Sequence, residues 1–250
     1  MKFIRFRKDN FCSYGLLEGD KVKVIEGDIF KDYKITGCSY GITEIDILTP
    51  CLPSKIVCIG LNYKAHARET NMPLPKEPLI FLKPSTAALA HKGGIVKPVM
   101  SARVDYEAEL GLVIGKPAKK IEPEAAYSYI LGATCFNDVT ARDLQNKDGQ
   151  WTRSKSFDTF APFGPCIATD LYYDNLFIEL LLNGKTEQKS NTSDFIFNVG
   201  QIVSFISHVM LLNPGDVIAT GTPSGIGAMS SGDIVQVKVQ DVGVLENHVI

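Results

Sequence analysis

Apolar and polar residues alternate along much of the first fifty positions, which is the pattern of short strands with one buried face. The alternation begins in residues 1–7, and turn-forming combinations of Asp, Asn, Glu and Gly recur at short intervals after it. Pro50 and Pro53 then interrupt the pattern. We therefore predict a small N-terminal β-rich domain over residues 1–52 and a larger domain over residues 53–250.

After residue 53 the apolar positions form short continuous runs, and long helical stripes are rare. The predicted strands lie at residues 55–59, 79–82, 110–114, 130–137, 217–220 and, as the last one, 234–239. Strands do not alternate regularly with long helices, so a doubly wound sheet is not expected. The pattern predicts a mixed, β-rich α+β fold.

One clear helix is predicted to follow Asn198. Apolar residues repeat there at helical spacing, and Gln201 occupies the position that a capping box requires. The Asn-Pro-Gly sequence at residues 213–215 is expected to end this helix. Asn62 is expected to cap a second, short helix, and Pro123 to begin another.

The composition excludes several classes of partner. The formal net charge is -2, from 28 acidic and 26 basic residues, so no basic excess points to nucleic acid or to an anionic membrane. The longest apolar runs are too short to span a bilayer, and the N-terminus lacks the apolar core of a signal peptide. Six scattered cysteines without a C-x-x-C pair are typical of reduced, mostly buried thiols. We expect a cytoplasmic protein.

Two glutamates, Glu107 and Glu109, are two positions apart in a predicted strand, so their side chains project to the same face. Exposure to water is the common alternative, but the apolar residues 110–114 continue the strand and indicate burial. Buried like charges require a shared proton, a basic partner or a hard divalent cation. Asp138 follows the predicted strand at 130–137 and adds a third carboxylate. Three carboxylates from two strands favour a site for Mg²⁺, Mn²⁺ or Ca²⁺.

Two further groups are candidates for chemistry, and each has a simpler alternative. His66 and Glu69 are three apart on the predicted short helix, which suits a base with its orienting acid or else an exposed ion pair. That helix precedes the proline-rich residues 72–78, and we interpret it as a mobile lid. Lys155 could stabilise enolate charge, or its stem could pack on Trp151 with the ammonium in water. Taken alone, each pattern favours the surface alternative.

The glycine-containing loop at residues 221–227 could present backbone N–H groups to an anionic substrate. It lacks the Gly-Lys-Ser/Thr ending of a P-loop, and no G-x-G-x-x-G follows a predicted strand. A nucleotide cofactor is therefore not expected.

Taken together, the candidate segments resemble the fumarylacetoacetate hydrolase family. The matching segments are residues 60–63 with His66 and Glu69, 81–84, 105–109, 137–138 with 142–145, 155–159 and 221–225. They occur in the family's order across residues 55–250. Any one of these segments is a weak signal, but six in order are highly specific.

The resemblance implies a rolled mixed β-sheet of the fumarylacetoacetase C-terminal-like type and a homodimer. It implies Mg²⁺, or else Mn²⁺ or Ca²⁺, on Glu107, Glu109 and Asp138. It also implies that His66 and Glu69 activate water and that Lys155 holds the substrate. Residues implied to lie near the substrate are Lys83, Arg142, Gln145 and Thr222.

The leading hypothesis is a hydrolase that cleaves a carbon–carbon bond in a small 2-oxo acid, of the acylpyruvate or fumarylpyruvate type, through a metal-stabilised enolate. The water-activating pair favours hydrolysis. The same site suits two alternative reactions: isomerisation of a 2-hydroxyhepta-2,4-diene-1,7-dioate and decarboxylation of oxaloacetate. A protein that binds a metal and does no chemistry is the alternative from another class.

Overall fold

Antiparallel strands form most of the fold, which confirms the predicted β-rich class. The computed structural model describes residues 1–250. The strands are β1 (Lys2–Lys8), β2 (Phe11–Glu18), β3 (Lys21–Gly27), β4 (Tyr33–Gly41), β5 (Asp46–Ile47), β6 (Ile56–Ile59), β7 (Ile80–Lys83), β8 (Ala88–Leu89), β9 (Gly94–Ile95), β10 (Val104–Tyr106), β11 (Ala108–Ile114), β12 (Ile130–Asn137), β13 (Thr140–Ala141), β14 (Ala161–Ala168), β15 (Phe177–Leu182), β16 (Lys185–Asn191), β17 (Val217–Ala219), β18 (Gly227–Ala228), β19 (Ile234–Val239) and β20 (Gly243–Val249). The α-helices are α1 (Lys64–Glu69), α2 (Arg142–Asp148), α3 (Thr152–Lys155) and α4 (Val199–Val209).

The strands form three sheets, and the largest begins with the N-terminal strands. Its order is β4-β3-β2-β1-β14-β12-β11-β17-β6-β7, with β5 beside β1 and β8 beside β14. A second sheet has the order β16-β15-β19-β20-β9, and a third consists of β13, β10 and β18. Because β1 pairs with β14, the first fifty residues extend the large sheet. The domain boundary predicted at residue 52 falls between β5 and β6 and stays a prediction.

The centre of the large sheet is buried on both faces. Every residue of β6, β11 and β17 is buried. Strand β17 pairs in parallel with β6 and antiparallel with β11. Strands covered on both sides have continuous apolar runs instead of alternation, which is the pattern that predicted them. These central strands form a rigid frame, and the predicted acidic residues lie at its ends.

Helix α4 forms as predicted but is shorter. Asn198 and Gln201 exchange hydrogen bonds, with the Gln201 N–H donating to the Asn198 side chain at 2.9 Å and the Asn198 N–H donating to the Gln201 side chain at 3.0 Å. This reciprocal pair is the predicted capping box. The helix ends before residues 213–215 because Met210 is extended and Leu212 forms a β-bridge. Tertiary pairing thus ends the helix before the Asn-Pro-Gly turn does.

The prediction that Asn62 caps helix α1 is wrong. Tyr63 occupies the cap position, and no side chain caps the helix. Asn62 is fully buried, and its amide donates to the carbonyl oxygens of Phe197 at 3.2 Å and Thr220 at 2.8 Å. It also accepts a hydrogen bond from the Phe197 N–H at 2.8 Å. Asn62 therefore joins the start of α1 to two other loops.

Two other local predictions need correction. The predicted helix after Pro123 is a single 3₁₀ turn over Ala126–Tyr129. Strand β19 is not the last strand, since β20 follows it. The sequence of β20 breaks the apolar alternation because Asn247 faces inward, where its amide donates to the carbonyl oxygens of Ala90 and Gly93.

The cysteines agree with the prediction of free, mostly buried thiols. All six cysteines are free, and four of them are buried. None of the helices combines the length and the apolar character that crossing a bilayer requires.

Asp216 fastens the starts of β6 and β17 together. It is fully buried, and its carboxylate accepts hydrogen bonds from the N–H and the hydroxyl of Ser54, at 3.1 and 2.6 Å, and from the N–H of Asn213 at 2.8 Å. It also pairs with the Lys55 ammonium. Substitution of this residue would leave several buried donors without a partner.

We expect Asp216→Ala to lower the free energy of unfolding by about 3 kcal/mol, because it removes one partner of a buried, hydrogen-bonded ion pair. Asp46→Ala is the matched control, since it breaks the exposed pair with Arg7. That change should cost less than about 1 kcal/mol. Urea unfolding measures both values, and equal losses in the two variants would contradict the role of Asp216.

Candidate metal and active site

The three predicted carboxylates meet in one buried site. Glu107 lies in the break between β10 and β11, Glu109 lies on β11, and Asp138 directly follows β12. One oxygen from each carboxylate lies within 4.8 Å of the others, and none of the three residues is more than 6% exposed. Strand pairing explains the convergence, since Ala108 lies opposite Asn137 and the Asp138 N–H donates to the Glu107 carbonyl at 2.9 Å.

Basic side chains pair with two of these carboxylates. The Lys155 ammonium donates to Glu107 at 2.9 Å and to Asp138 at 2.6 Å. Lys83 also pairs with Asp138, and Arg142 pairs with Glu107. The basic partner that the sequence left open as an alternative is therefore present for Glu107 and Asp138.

The surface alternative for Lys155 does not hold. The residue is 2% exposed, and its ammonium lies 5.0 Å from the centre of the Phe81 ring. Trp151 packs edge-on against Phe81 at 5.2 Å between ring centres. A cleft of about 750 Å³ opens beside these rings and includes Lys83 and Ser156 in its lining. The cleft gives small molecules room next to the carboxylate site.

Glu109 differs from its two neighbours because no basic side chain forms a salt bridge with it. It is 1% exposed and accepts a hydrogen bond from the Gly221 N–H at 2.8 Å. Burial, together with the charges of Asp138 and Glu107, raises the pKa of Glu109 well above its ordinary value. A bound cation would stabilise the ionised form of this carboxylate.

Glu107 and Lys155 stabilise each other's charged forms. Burial raises the pKa of Glu107, but the positive charges of Lys155 and Arg142 outweigh it and lower that pKa to about 2. Burial in turn lowers the pKa of Lys155, while Asp138 and Glu107 raise it above its ordinary value. The site therefore contains ionised oxygens directed at one point. Such a donor set fits a hard divalent cation, and the unpaired carboxylate of Glu109 strengthens the fit.

His66 and Glu69 form the predicted pair. Nδ1 of His66 lies 2.8 Å from a carboxylate oxygen of Glu69, and His66 is 8% exposed, which excludes a fully solvated pair. The other oxygen of Glu69 accepts a hydrogen bond from the Gly225 N–H at 3.0 Å. Gly225 belongs to the same loop as Gly221, which binds Glu109. The pair is thus attached to the loop that holds the carboxylate site.

The four residues that the resemblance places near a substrate bind protein groups in this structure. Lys83 and Arg142 pair with site carboxylates, and Arg142 also donates to the Gln145 side-chain oxygen. The Thr222 hydroxyl oxygen accepts a hydrogen bond from Gln188 at 2.9 Å. Their direct contacts with a substrate stay a prediction.

Two polar residues of the site, Asp105 and Gln188, received no role from the sequence, although Asp105 belongs to the matching segment 105–109. Asp105 is fully buried and accepts hydrogen bonds from Arg103 at 2.8 Å and Arg142 at 2.9 Å. Its position two residues before Glu107 is the signal that could have identified it, since both belong to one strand-like segment. Gln188 lies in the polar residues 183–191, where no pattern distinguishes it from exposed neighbours.

The fold and the site define a class: a β-rich protein with a buried acidic centre suited to a divalent cation. The family model described as fumarylacetoacetate (FAA) hydrolase C-terminal matches residues 55–250. A second model, described as Rv2993c-like, N-terminal, matches residues 1–50. The chain therefore belongs to the fumarylacetoacetate hydrolase family, as its motifs predict, and this family consists of enzymes that include hydrolases and isomerases.

Relatives within this family differ in the reactions that they are named for. The crystal structure of a 2-hydroxyhepta-2,4-diene-1,7-dioate isomerase from Mycobacterium marinum matches with a TM-score of 0.94 and 39% identity, covering 100% of this chain and 98% of the other. A mitochondrial oxaloacetate tautomerase from Bos taurus is 41% identical over 83% of this chain and 70% of its own length. A maleylpyruvate hydrolase from Sphingobium sp. SYK-6, in complex with manganese(II) and pyruvate, matches with a TM-score of 0.85 and 26% identity, covering 100% and 99%.

Isosteric amide variants distinguish the two glutamates. Glu109→Gln should leave the metal-free protein at least as stable as the wild type, because it removes a buried charge that has no basic partner. Glu107→Gln is the matched control, and it should destabilise the metal-free protein by about 3 kcal/mol, because it leaves Lys155 and Arg142 without a charged partner. Urea unfolding in the presence of EDTA measures both values.

Both variants should lose most of their affinity for Mn²⁺, since each lacks one of three carboxylate ligands. Isothermal titration calorimetry measures this affinity. Wild-type Mn²⁺ affinity in Glu109→Gln would contradict the assignment of the metal site.

Proposed function

We propose that the protein is a divalent-metal-dependent enzyme that interconverts the tautomers or double-bond isomers of a small 2-oxo acid, with an oxaloacetate-type dicarboxylate as the substrate class. The observation that carries the proposal is the oriented His66–Glu69 pair, attached through one loop to the carboxylate site. Relatives named as a tautomerase and an isomerase, at 41% and 39% identity, support a reaction of this type.

Glu107, Glu109 and Asp138 would hold the cation, with Mg²⁺ or Mn²⁺ as the first candidates. When bound, the cation supplies a Lewis acid that polarises the 2-oxo group of the substrate. Lys155 places a second positive charge beside the same carboxylates and would stabilise negative charge on the substrate. The aromatic wall of Phe81 and Trp151 limits the access of water to this ammonium.

His66 is suited to carry the proton. A carboxylate can only accept a hydrogen bond, so the contact with Glu69 places the hydrogen on Nδ1 and leaves the lone pair of Nε2 free. In the direction from keto to enol, Nε2 would take a proton from C3, and the imidazolium so formed would then give this proton to the 2-oxo oxygen. The reverse sequence returns the proton to C3. Glu69 stabilises the imidazolium that exists between these two steps.

Hydrolysis is the second candidate, and the same pair of residues favours it. With a water molecule next to Nε2, His66 would deliver hydroxide to the distal carbonyl of an acylpyruvate, and the bond between C3 and that carbonyl would break. The products are pyruvate, which gains a proton at C3, and a carboxylic acid. The maleylpyruvate hydrolase relative, at 26% identity, supports this candidate.

Substrate assays with Mg²⁺ and Mn²⁺ distinguish the two reactions. We expect the purified enzyme to accelerate the decay of the enol absorbance of oxaloacetate, with all of the oxaloacetate recovered. Release of pyruvate and an acid from acylpyruvates would instead establish hydrolysis. Turnover of neither substrate class, in a protein that binds Mn²⁺, would reject both reactions and leave a metal-binding protein.

His66→Asn should lower kcat by roughly 100-fold or more, because general acid–base catalysis contributes roughly 10²–10⁴ to rates. His208→Asn is the control, since that imidazole lies on helix α4 and forms its hydrogen bond with the Ser204 carbonyl of the same helix at 3.0 Å. It should leave kcat unchanged. A full-rate His66→Asn enzyme would exclude this residue as the base.

A further inference from the structure

Gln188 is a buried polar residue on a strand whose other residues are exposed or half-buried. It lies on β16, the edge strand of the five-stranded sheet. It is 1% exposed and is the only fully buried residue of that strand. Its side chain leaves the sheet toward the start of β11. A buried amide at an edge strand requires specific partners, and Gln188 has three.

The Gln188 amide connects two parts of the active site. Its oxygen accepts a hydrogen bond from the Ala108 N–H at 2.9 Å, and Ala108 separates the glutamates at 107 and 109. Its nitrogen donates to the Thr222 hydroxyl at 2.9 Å and to the Pro223 carbonyl at 2.9 Å. All of these partners belong to the carboxylate site or to the loop that covers it.

These partners fix the orientation of the amide. The Ala108 N–H can only donate, so it must face the amide oxygen, and the Pro223 carbonyl can only accept, so it must face the amide nitrogen. The Thr222 hydroxyl oxygen therefore accepts a hydrogen bond from the Gln188 amide nitrogen. The hydrogen of the Thr222 hydroxyl itself remains free, because that hydroxyl donates to no protein group. Thr222 is 3% exposed, so the free donor lies in the interior of the site.

We propose that Gln188 is a positioning residue that turns the Thr222 hydroxyl into a hydrogen-bond donor for the carboxylate of a 2-oxo acid. The inference rests on the proposed substrate class. Without Gln188, no side chain would donate to the Thr222 hydroxyl oxygen, and a lone pair of that oxygen could face an anionic ligand. The amide thus selects for ligands that accept a hydrogen bond at this position.

The backbone supports the same arrangement. Gly225 has a φ of +93°, and a Cβ at this position would lie 2.4 Å from the Glu187 carbonyl oxygen. The loop from residue 221 to 225 therefore rests directly on the backbone of β16, next to Gln188. A side chain at position 225 would push the loop away from β16, so glycine at this position favours the short distance between the amide and Thr222.

The test measures binding and does not require turnover. Mn²⁺ alone is first titrated into the protein by calorimetry, and oxalate is then titrated into the Mn²⁺-saturated protein. Gln188→Met, which has similar length but no amide, should raise the Kd of oxalate about tenfold, because a hydrogen bond to a charged group is lost. The Kd of Mn²⁺ should change by less than about threefold, since β12 still holds the backbone at 107–109.

Double substitution separates positioning from general destabilisation. Thr222→Val should weaken oxalate binding about as much as Gln188→Met, and the double variant should bind no more weakly than Thr222→Val alone, because both changes remove one donor. Gln201→Met is the control: it breaks the capping box of α4, so it should lower the thermal midpoint and leave the oxalate Kd unchanged. If Gln188→Met does not fold, Gln188→Asn replaces it, since its shorter amide cannot reach all three partners.

Three other outcomes overturn the inference. An unchanged oxalate Kd in folded Gln188→Met, or losses that multiply in the double variant, would show that Gln188 does not act through Thr222. Absence of oxalate binding to the Mn²⁺-loaded wild type would leave Thr222 without an anionic ligand. A wild type that binds oxalate but turns over no 2-oxo acid would reject the proposed function alone.

Discussion

The repulsion among carboxylates buried in one small volume is the constraint on which the rest of this site depends. Glu107, Glu109 and Asp138 come from two adjacent strands, and Asp105 adds a fourth buried charge behind them. The groups around the carboxylates reduce this repulsion. Lysine and arginine side chains enter from other segments, and a backbone N–H from the 221–225 loop reaches Glu109. Glu109 is the one carboxylate of the three that forms no salt bridge, and a bound cation would stabilise its charge.

The same electrostatics explains why the active site gathers distant parts of the chain. Lys83 comes from an edge strand of the large sheet, Lys155 from helix α3, and Arg142 from helix α2. Strand β7 is apolar and pairs with β6, whereas α2 and α3 are short and mostly polar. Ion pairs and hydrogen bonds from Arg142 and Lys155 to the buried acids therefore help to hold these two helices in place.

The sequence predicted the parts of the molecule that depend on local patterns. Alternation identified the N-terminal strands, continuous apolar runs identified β6, β11, β12 and β17, and the spacing of Glu107 and Glu109 identified the site. Features that depend on distant contacts were missed or misplaced. Asn is a residue type that often caps helices, but the Asn62 amide donates instead to carbonyl oxygens of two loops far along the chain. Gln188 has no local signal because its partners at 108, 222 and 223 become neighbours only when two sheets pack together.

The two oxygens of Glu69 connect the orientation of His66 to the position of helix α1. One oxygen orients His66, and the other holds the N–H of Gly225. Orientation of the base and docking of the helix on its loop therefore share one carboxylate. Any displacement of helix α1 from this loop would break at least one of the two contacts, because His66 and Glu69 both lie on α1 and Gly225 lies on the loop. The orientation of the imidazole is therefore coupled to the packing of a single helical turn, so a substitution in the 221–225 loop could change the chemistry of His66 without touching it.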